Sequence, residues 1–314
     1  MLHTSSRNVA AHLLMLSVVV LWGTTFVLVK AVLAVMPPQW FNSLRMVVAF
    51  PCLAFLYRAQ WSRLTWTSWM AGGAAGLCLA VGYIFQTQGL VYTTPTNSAF
   101  ITALVVVLVP CLMSVPLLRP PGASAPNWIS WSGALAAFMG LALLTVPSGR
   151  VWQHSLANIN RGDLFTLACA LFFSLHVLVL AHATGRVPFQ HIALLQIGFA
   201  TVFLTLCALW TEPLPRTHLA GGLSHIQTPL VLFSVLVTGV LATAAAFSIQ
   251  TWAQQVIPPT NIAVLLTLEP VFAWLTSFVF LHSRLAPRPT LGAILVLAAI
   301  LTTEIVPRVG LRQA

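Results

Sequence analysis

The chain has 314 residues, of which 59% are hydrophobic and only 6% are charged, and its formal net charge is +10. Because a soluble domain carries about 25% charged residues, such sparse charge excludes a water-facing surface over much of the molecule. The basic residues stand singly or in loose pairs such as Arg58 and Arg63, without the basic stripe that nucleic-acid binding requires. The composition predicts an integral membrane protein in a lipid bilayer, with loop arginines near the membrane surfaces.

Ten apolar segments follow one another along the chain, each close to the length of about 20 residues that a membrane-spanning helix needs. Prolines cluster at the joints between them, because proline lacks an N–H and starts or ends helices. The segments predict an all-α integral membrane protein with ten transmembrane helices. They cover approximately residues 11–33, 38–57, 67–91, 96–118, 128–147, 163–183, 189–210, 228–254, 259–282 and 287–306.

Two polar stretches repeat each other at an offset of 164 residues: FQTQGLVYTTPTNSAF at 85–100 and IQTWAQQVIPPTNIAV at 249–264. Six of their sixteen positions are identical, where chance would give about one. Weaker similarity at offsets of 150 and 151 residues joins the earlier segments and places Arg45 opposite Gln196. The repeat predicts that the chain is built from two related halves.

The two predicted halves contain five segments each. They cover residues 1–148 and 162–308, and a loop at 149–161 connects them. Because five is odd, the second half starts on the opposite side of the membrane, so the halves are inverted repeats. Inverted repeats are typical of secondary transporters, whose substrate site lies near the bilayer midplane between the repeats.

The repeated Pro-Thr-Asn elements lie where one span ends and the next begins. Pro95 and Pro259 are therefore predicted hinges, and Thr96 or Asn97 is expected to cap the helix that follows the first of them. Small-residue spacings predict close helix contacts, within the chain or at a homodimer face, at Gly72-x-x-x-Gly76 and Gly133-x-x-x-Ala137.

An even number of spans places both termini on one side of the membrane. The loops on that side hold more arginines than the loops on the other, so the positive-inside rule predicts cytoplasmic N- and C-termini. The arginines on the terminal side are Arg7, Arg58, Arg63, Arg119, Arg186, Arg308 and Arg312, against Arg150, Arg161, Arg216, Arg284 and Arg288 on the other.

Four short motifs carry a resemblance to a known family: LWGTTFVLVK in the first span, Arg45 in the second, TTPTNSAFIT at the start of the fourth and LLTLEP in the ninth. With two five-span repeats, the chain resembles the drug/metabolite transporter superfamily of the EamA type over nearly its whole length. The resemblance implies a bacterial inner-membrane carrier, often an exporter of amino acids, metabolites or drugs.

Glu269 is the main candidate for proton coupling because it lies near the centre of the ninth span. A carboxylate at the bilayer centre is costly unless it is protonated, paired or hydrated, which makes a functional role the default hypothesis. Pro270 follows it and frees a carbonyl in the preceding turn, so it is a third predicted hinge. The alternative is that Glu269 only ties helices together.

Arg45 is the corresponding cation, near the middle of the second span. Its guanidinium could bind a substrate carboxylate in a bidentate manner, pair with Glu269, or extend to a membrane surface. Lys30 lies nearer the end of its span and is expected to extend to the surface.

Uncharged polar and aromatic residues complete the predicted substrate pathway. His176 could relay protons or simply pack, the hydroxyl of Thr25 could bond only to its own helix, and tryptophan and tyrosine near the centre suggest an aromatic or amphiphilic solute. With Arg45, the predicted pathway residues are Trp22, Thr25, Tyr83, Gln86, Asn97, His176, Gln196, Gln250 and Asn261.

Other function classes lack their motifs. The chain contains no HExxH, no GxSxG, no paired carboxylates for an enzyme and no GxxxxGK[ST] for an ATP-driven pump. The five cysteines lie in apolar runs without metal-ligand spacing. We therefore expect no catalytic residue, metal or cofactor, and a small-molecule substrate moved by a secondary transporter. The alternative is a membrane-embedded enzyme or sensor without transport activity.

Overall fold

The computed structural model describes residues 2–145, 161–212, 228–281 and 287–310, and within these ranges every regular element is a helix. The α-helices are α1 Leu2–Val32, α2 Pro38–Leu56, α3 Trp66–Tyr92, α4 Pro95–Thr102, α5 Val105–Ser114, α6 Trp128–Thr145, α7 Arg161–Ala183, α8 Phe189–Thr211, α9 Pro229–Leu236, α10 Ala246–Ala253, α11 Pro259–Leu266, α12 Leu268–Leu281 and α13 Pro287–Gly310. Short 3₁₀ turns occupy Arg58–Arg63 and Pro116–Leu118, and a π-helical segment occupies Val237–Ala245.

Six helical runs of the described chain are long and apolar enough to cross a membrane. Shorter apolar helices cover Trp128–Leu143 and Thr290–Ala299. The long runs are Ser6–Val32, Trp66–Tyr92, Pro95–Ser114, Arg161–Ala183, Phe189–Thr211 and Pro229–Ala253.

Three segments that the sequence predicts as uninterrupted spans are irregular. The segment at 96–118 is broken between α4 and α5, the one at 259–282 is broken between α11 and α12, and the one at 228–254 contains the π-helical turns. The second break has a local cause: Pro270 lacks the N–H that would bond to the carbonyl of Leu266. Hydropathy alone does not report such breaks, because the side chains on both sides of them are apolar.

The helix that precedes the first break, α4, starts with a cap that differs from the prediction. The hydroxyl of Thr94 accepts a hydrogen bond from the backbone N–H of Asn97 at 3.1 Å, and Pro95 takes the first helical position. The expectation that Thr96 or Asn97 is the cap is wrong, because both lie within the first turn whose free N–H groups need a partner. The matching helix α11 starts after Pro258 with no side-chain cap.

Lys30 has specific partners at the end of a neighbouring helix, and its expected extension to a membrane surface stays a prediction. Its Nζ donates to the carbonyls of Leu90 at 2.6 Å, Val91 at 3.2 Å and Thr93 at 3.0 Å. The last carbonyls of a helix lack intrahelical donors and carry partial negative charge. Lys30 on α1 therefore caps the C-terminus of α3.

Glu212 makes the opposite kind of cap. Its carboxylate, just beyond α8, accepts from the backbone N–H of Gln39 at 3.0 Å and from that of Trp40 at 3.0 Å, at the N-terminus of α2. Burial raises the pKa of the Glu212 carboxyl, while the two backbone N–H groups act in the opposite direction. The N-terminal dipole of α2 favours the anion, so this contact ties α8 to α2.

Helix packing brings distant parts of the chain together. The helix α3 packs against α7 and α8, α2 packs against α8 and the π-helical segment, α1 packs against α12, and α6 packs against α13. The core clusters lie along these contacts, with Met46, Leu79 and Leu194 among the fully buried side chains. The layout leaves a space at the centre between α1, α2, α3, α7 and α12.

The Gly72-x-x-x-Gly76 spacing mediates a contact within the chain. A Cβ added to Gly76 would lie 2.6 Å from the backbone carbonyl oxygen of Gln196, and one added to Gly72 would lie 2.3 Å from the Cβ of Leu195. Helices α3 and α8 therefore approach as closely as glycine permits.

We expect Gly76→Ala to destabilise the protein by about 1–3 kcal/mol, because the new methyl group meets backbone that can move only with its helix. The measurement is the thermal unfolding midpoint in detergent. Gly73→Ala is the matched control, since its Cβ would lie 3.4 Å from the ring of Phe199. Equal midpoints for the two variants would contradict the close approach.

Candidate functional site

A central cavity lies between helices from both ends of the chain. It holds about 820 Å³ of space between atoms, part of which is open to solvent. Eight of the predicted site residues line its wall together: Trp22, Thr25, Arg45, Tyr83, Gln86, His176, Gln250 and Glu269. The fold therefore gathers residues that are more than 240 positions apart into one site.

Arg45 is buried in this wall, and no acidic side chain of the described part of the chain pairs with it. The side chain is 4% exposed, and its guanidinium carbon lies 3.7 Å from the centre of the Tyr83 ring, a close cation–π contact. Within the described ranges it forms no ion pair with Glu269, and the side chain is buried rather than extended to a surface; its contact with a substrate stays a prediction. Its Nε, a buried donor, has no hydrogen-bond partner among the described residues.

Glu269 lies at the helix break rather than inside a continuous helix. It occupies the first turn of α12, where the free N–H groups of the helix favour an anion. Its side chain is 8% exposed, and within the described ranges it makes no hydrogen bond or ion pair. Arg45 and Glu269, which carry opposite charges when ionised, therefore line the same cavity without an ion pair between them among the described residues.

The backbone of α1 packs closely against α12 near Glu269. A Cβ added to Gly23 would lie 2.6 Å from the carbonyl oxygen of Glu269 and 2.8 Å from the Cβ of Phe272. The glycine of the LWGTTF motif is therefore needed for close approach, and it fixes the distance between α1 and the turn that carries Glu269.

Phe247 is the centre of an aromatic cluster on the cavity wall. Its ring centre lies 5.1 Å from that of Trp22, 6.1 Å from that of Tyr83 and 5.6 Å from that of His176. Phe173 packs edge-on to Tyr83 at 5.5 Å. These rings make the cavity wall largely apolar, with only a few polar atoms available to orient a ligand.

Trp22 and Thr25 line the cavity, although their polar atoms are engaged elsewhere. The indole Nε1 of Trp22 donates to the carbonyl of Ala242 in the π-helical segment at 2.7 Å. The hydroxyl of Thr25 donates to the carbonyl of Trp22 at 2.9 Å, in the same helix. Both residues therefore offer the cavity their apolar surface.

Gln196 is fully buried behind the cavity wall and does not line it, contrary to its predicted place in the pathway. Its Oε1 lies 2.8 Å from Nε2 of His176, and its Nε2 lies 3.0 Å from Oγ1 of Thr251. The amide has a partner at each end, so its influence on the cavity passes through His176.

A similar contact occurs at Thr87. The amide Nδ2 of Asn42 donates to Oγ1 of Thr87 at 2.7 Å, and the Thr87 hydroxyl donates to the carbonyl of Tyr83 at 2.8 Å. Thr87 and Thr251 are the second residues of the two Gln-Thr pairs, so both threonines receive an amide from a neighbouring helix.

The remaining predicted residues are not part of the cavity lining. Asn97 is exposed in the first turn of α4, where its side chain is not part of the wall. Asn261 lines a second crevice with Asn127 and Ser130. The hinge prolines Pro95 and Pro259 are the first residues of α4 and α11, and Pro270 lies in the first turn of α12. Their role as hinges stays a prediction.

Several cavity residues are absent from the sequence-based prediction. The sequence could have indicated one of them: Phe247 lies 164 residues after Tyr83, which is the offset of the repeat. The π-helical turns that bring Thr238 and Ala242 to the wall had no signal in the sequence. The other unpredicted lining residues include Phe26, Thr87, Thr102 and Phe173. Among the described residues, no group of three His, Cys, Asp or Glu side chains could hold a metal ion.

The model of the EamA-like transporter family matches residues 9–146 and 160–304, which is most of the chain. The chain belongs to the EamA-like transporter family. Two relatives named only as uncharacterized transporters are similar over nearly the full length of this EamA-like chain. The one from Archaeoglobus fulgidus is 31% identical over 309 residues, covering 95% of this chain and 87% of the relative. The transporter YvbV of Bacillus subtilis is 24% identical over 299 residues, covering 92% of this chain and 89% of the relative.

A crystal structure agrees with the fold of the EamA-like protein. It superposes with a TM-score of 0.70 at 18% sequence identity, covering 95% of this chain and 98% of the other, and the likeness shows the fold alone. The family, the relatives' names and the long apolar helices identify an integral membrane protein and support a membrane transporter rather than an enzyme.

Proposed function

We propose that the protein is a secondary active transporter that exports a small organic metabolite across the bacterial inner membrane by alternating access. The observation that carries the proposal is the central cavity, where a buried guanidinium and a buried carboxylate face the same space without binding each other. A buried charge without a partner is costly, so an enclosed solute or proton is the natural partner of each.

The architecture is proposed to be ten spans in two inverted halves. In support, the short helices Pro95–Thr102 and Pro259–Leu266 have equal lengths and are 164 residues apart. The residues that end them have nearly the same conformation, with ψ of −7° at Ala103 and −8° at Thr267. The two stretches matched by the family model also fall on the two predicted halves. A broken helix from each half at a substrate site is a recurrent feature of inverted-repeat carriers.

Reporter fusions test the span number and the orientation. Fusions after residues 60 and 186 are expected to report the cytoplasmic side, as are fusions at both termini, because these loops carry the larger share of arginines. Fusions after residues 155 and 216 should report the opposite side. The same location for residues 60 and 155 would contradict five spans in the first half.

Glu269 is the proposed proton-coupling group and Arg45 the proposed anchor for an anionic group of the solute. The two charges lie on different helices, α12 and α2, which belong to different proposed halves. Rocking of one half against the other would therefore change the surroundings of both charges together. An alternating-access carrier requires such a link between the conformational change and the groups that bind solute and proton.

Flux measurements in reconstituted vesicles test the transport function. A screen of thermal stability against amino acids, nucleobases and cationic amines would first select solutes, since bound solute stabilises the folded state by mass action. We expect a selected solute to accumulate against its gradient when a pH gradient of the correct sign is imposed. Vesicles without protein are the control, and equal uptake by both would contradict a transport function.

A further inference from the structure

Three buried side chains form a hydrogen-bonded chain that ends at the cavity wall. Its origin is Thr251, whose Oγ1 lies 2.6 Å from the backbone carbonyl oxygen of Phe247. A carbonyl oxygen can only accept, and a hydroxyl has one hydrogen to donate. The hydrogen of Thr251 therefore points at Phe247, and toward any other group Thr251 is an acceptor.

This direction fixes the Gln196 amide. Its nitrogen faces Thr251 at 3.0 Å and its oxygen faces Nε2 of His176 at 2.8 Å. The reversed amide would place its oxygen against a hydroxyl whose hydrogen is already used, which brings two acceptors together. Because Gln196 offers an acceptor to His176, the Nε2 of that ring must carry a hydrogen.

The His176 ring is neutral because it is buried. His176 is 2% exposed and packs edge-on against Phe247. Within the described part of the chain, Gln196 is its single hydrogen-bond partner, and no acidic group pairs with it. A second proton would create a buried cation without an anion, which is strongly unfavourable. A neutral ring with hydrogen on Nε2 has a lone pair on Nδ1, and the ring lines the cavity.

We propose that Gln196 and Thr251 fix His176 as the Nε2–H tautomer, so that its Nδ1 accepts a hydrogen bond from an N–H or O–H group of the transported solute. This rests on the proposed transport function. Two other acceptors share the cavity: the buried Oε1 of Gln250, which has no partner among the described residues, and the carboxylate of Glu269. The solute class that fits is one with a donor-bearing group, such as a primary ammonium, next to an apolar body.

Nitrogen NMR of the full-length protein in lipid nanodiscs, labelled with ¹⁵N-histidine, reads the tautomer directly and needs no solute. The chain has nine histidines, so the signals that disappear in His176→Phe assign this ring. We expect a protonated Nε2 and an unprotonated Nδ1. A protonated Nδ1 in the wild-type spectrum would overturn the proposal.

Variants of the positioning residues supply the second measurement. Thr251→Val removes the acceptor that holds the Gln196 amide, so we expect a signal from the Nδ1–H tautomer, whereas Thr251→Ser keeps the hydroxyl and should restore the wild-type pattern. Thr87→Val is the matched control, because it removes the corresponding hydroxyl of the first half and should leave the His176 signals unchanged. An unaltered tautomer in Thr251→Val would show that Thr251 does not position the ring.

The solute contact is tested with phenylalanine and its N,N,N-trimethyl analogue, which share the carboxylate for Arg45, the positive charge and the ring but differ in N–H donors. We expect the wild-type protein to prefer the primary amine, and His176→Phe to reduce that preference about two- to tenfold, the equivalent of one hydrogen bond. An unchanged preference would overturn the contact. If the wild-type protein moves no solute in vesicles, the transport function fails, whereas the tautomer is decided by the spectrum alone.

Discussion

Glu269→Gln is expected to abolish solute accumulation driven by a pH gradient while it preserves exchange of solute between the two sides. Glutamine resembles a carboxyl group that is permanently protonated, so the variant can adopt both orientations but cannot carry a proton in one direction only. With one proton moved per neutral solute, a gradient of one pH unit supports about tenfold accumulation, since a factor of ten corresponds to about 1.4 kcal/mol. In the variant this ratio should fall to about one.

The measurement is uptake of a labelled solute by reconstituted vesicles, with and without an imposed pH gradient. Glu212→Gln is the matched control, because it removes an acidic group that caps α2 and lies outside the cavity. It should keep gradient-driven accumulation, with any loss explained by a lower amount of folded protein. Accumulation by Glu269→Gln equal to that of the wild type at every pH would end the coupling hypothesis.

Arg45→Gln is expected to weaken the binding of solutes that carry a carboxylate far more than the binding of solutes that carry only a positive charge. The guanidinium is held over Tyr83, and its Nε has no partner among the described residues. A hydrogen bond to a charged group contributes about 1.5–3 kcal/mol, so the affinity for carboxylates should fall by about ten- to a hundredfold.

Competition against transport of one labelled solute provides the measurement, with carboxylate-bearing and cationic competitors compared in each variant. Arg119→Gln is the matched control, because it removes a guanidinium that donates to the carbonyl of Met113 and does not line the cavity. Arg45→Lys keeps the charge but loses the planar fork, so it should recover only part of the affinity. Equal losses for both kinds of competitor in Arg45→Gln would contradict the role as carboxylate anchor.

Much of the candidate site could be predicted because membrane-buried polar residues are rare in this chain. Arg45, Glu269 and His176 were identified from their position in apolar segments, and all three line one cavity. Gln86 and Gln250 were found through the repeat, which also contained an overlooked signal for Phe247. In such a chain, a polar side chain within a span already indicates an internal role, since lipid offers it no partner.

Other features depended on contacts that the linear pattern does not contain. The sequence places Lys30 near the end of its span, but that it caps α3 through the free carbonyls at the end of that helix follows only from helix packing. Gln196 looked like a pathway residue, yet both ends of its amide are bonded behind the wall. In each case the sequence correctly singled out a polar residue within a span, but the partner of that residue comes from another helix.

The sequence by itself determined the membrane class, the all-helical fold and the family resemblance, because these follow from local hydrophobicity, proline placement and short motifs. The tertiary structure decided that Arg45 and Glu269 share a cavity without pairing among the described residues, that glycine brings α1 against the turn of Glu269, and that the Gln196 amide lies between Thr251 and His176. Local properties are carried by each residue and its neighbours. The distances between unpaired charges and the direction of a hydrogen bond exist only once separate helices have packed.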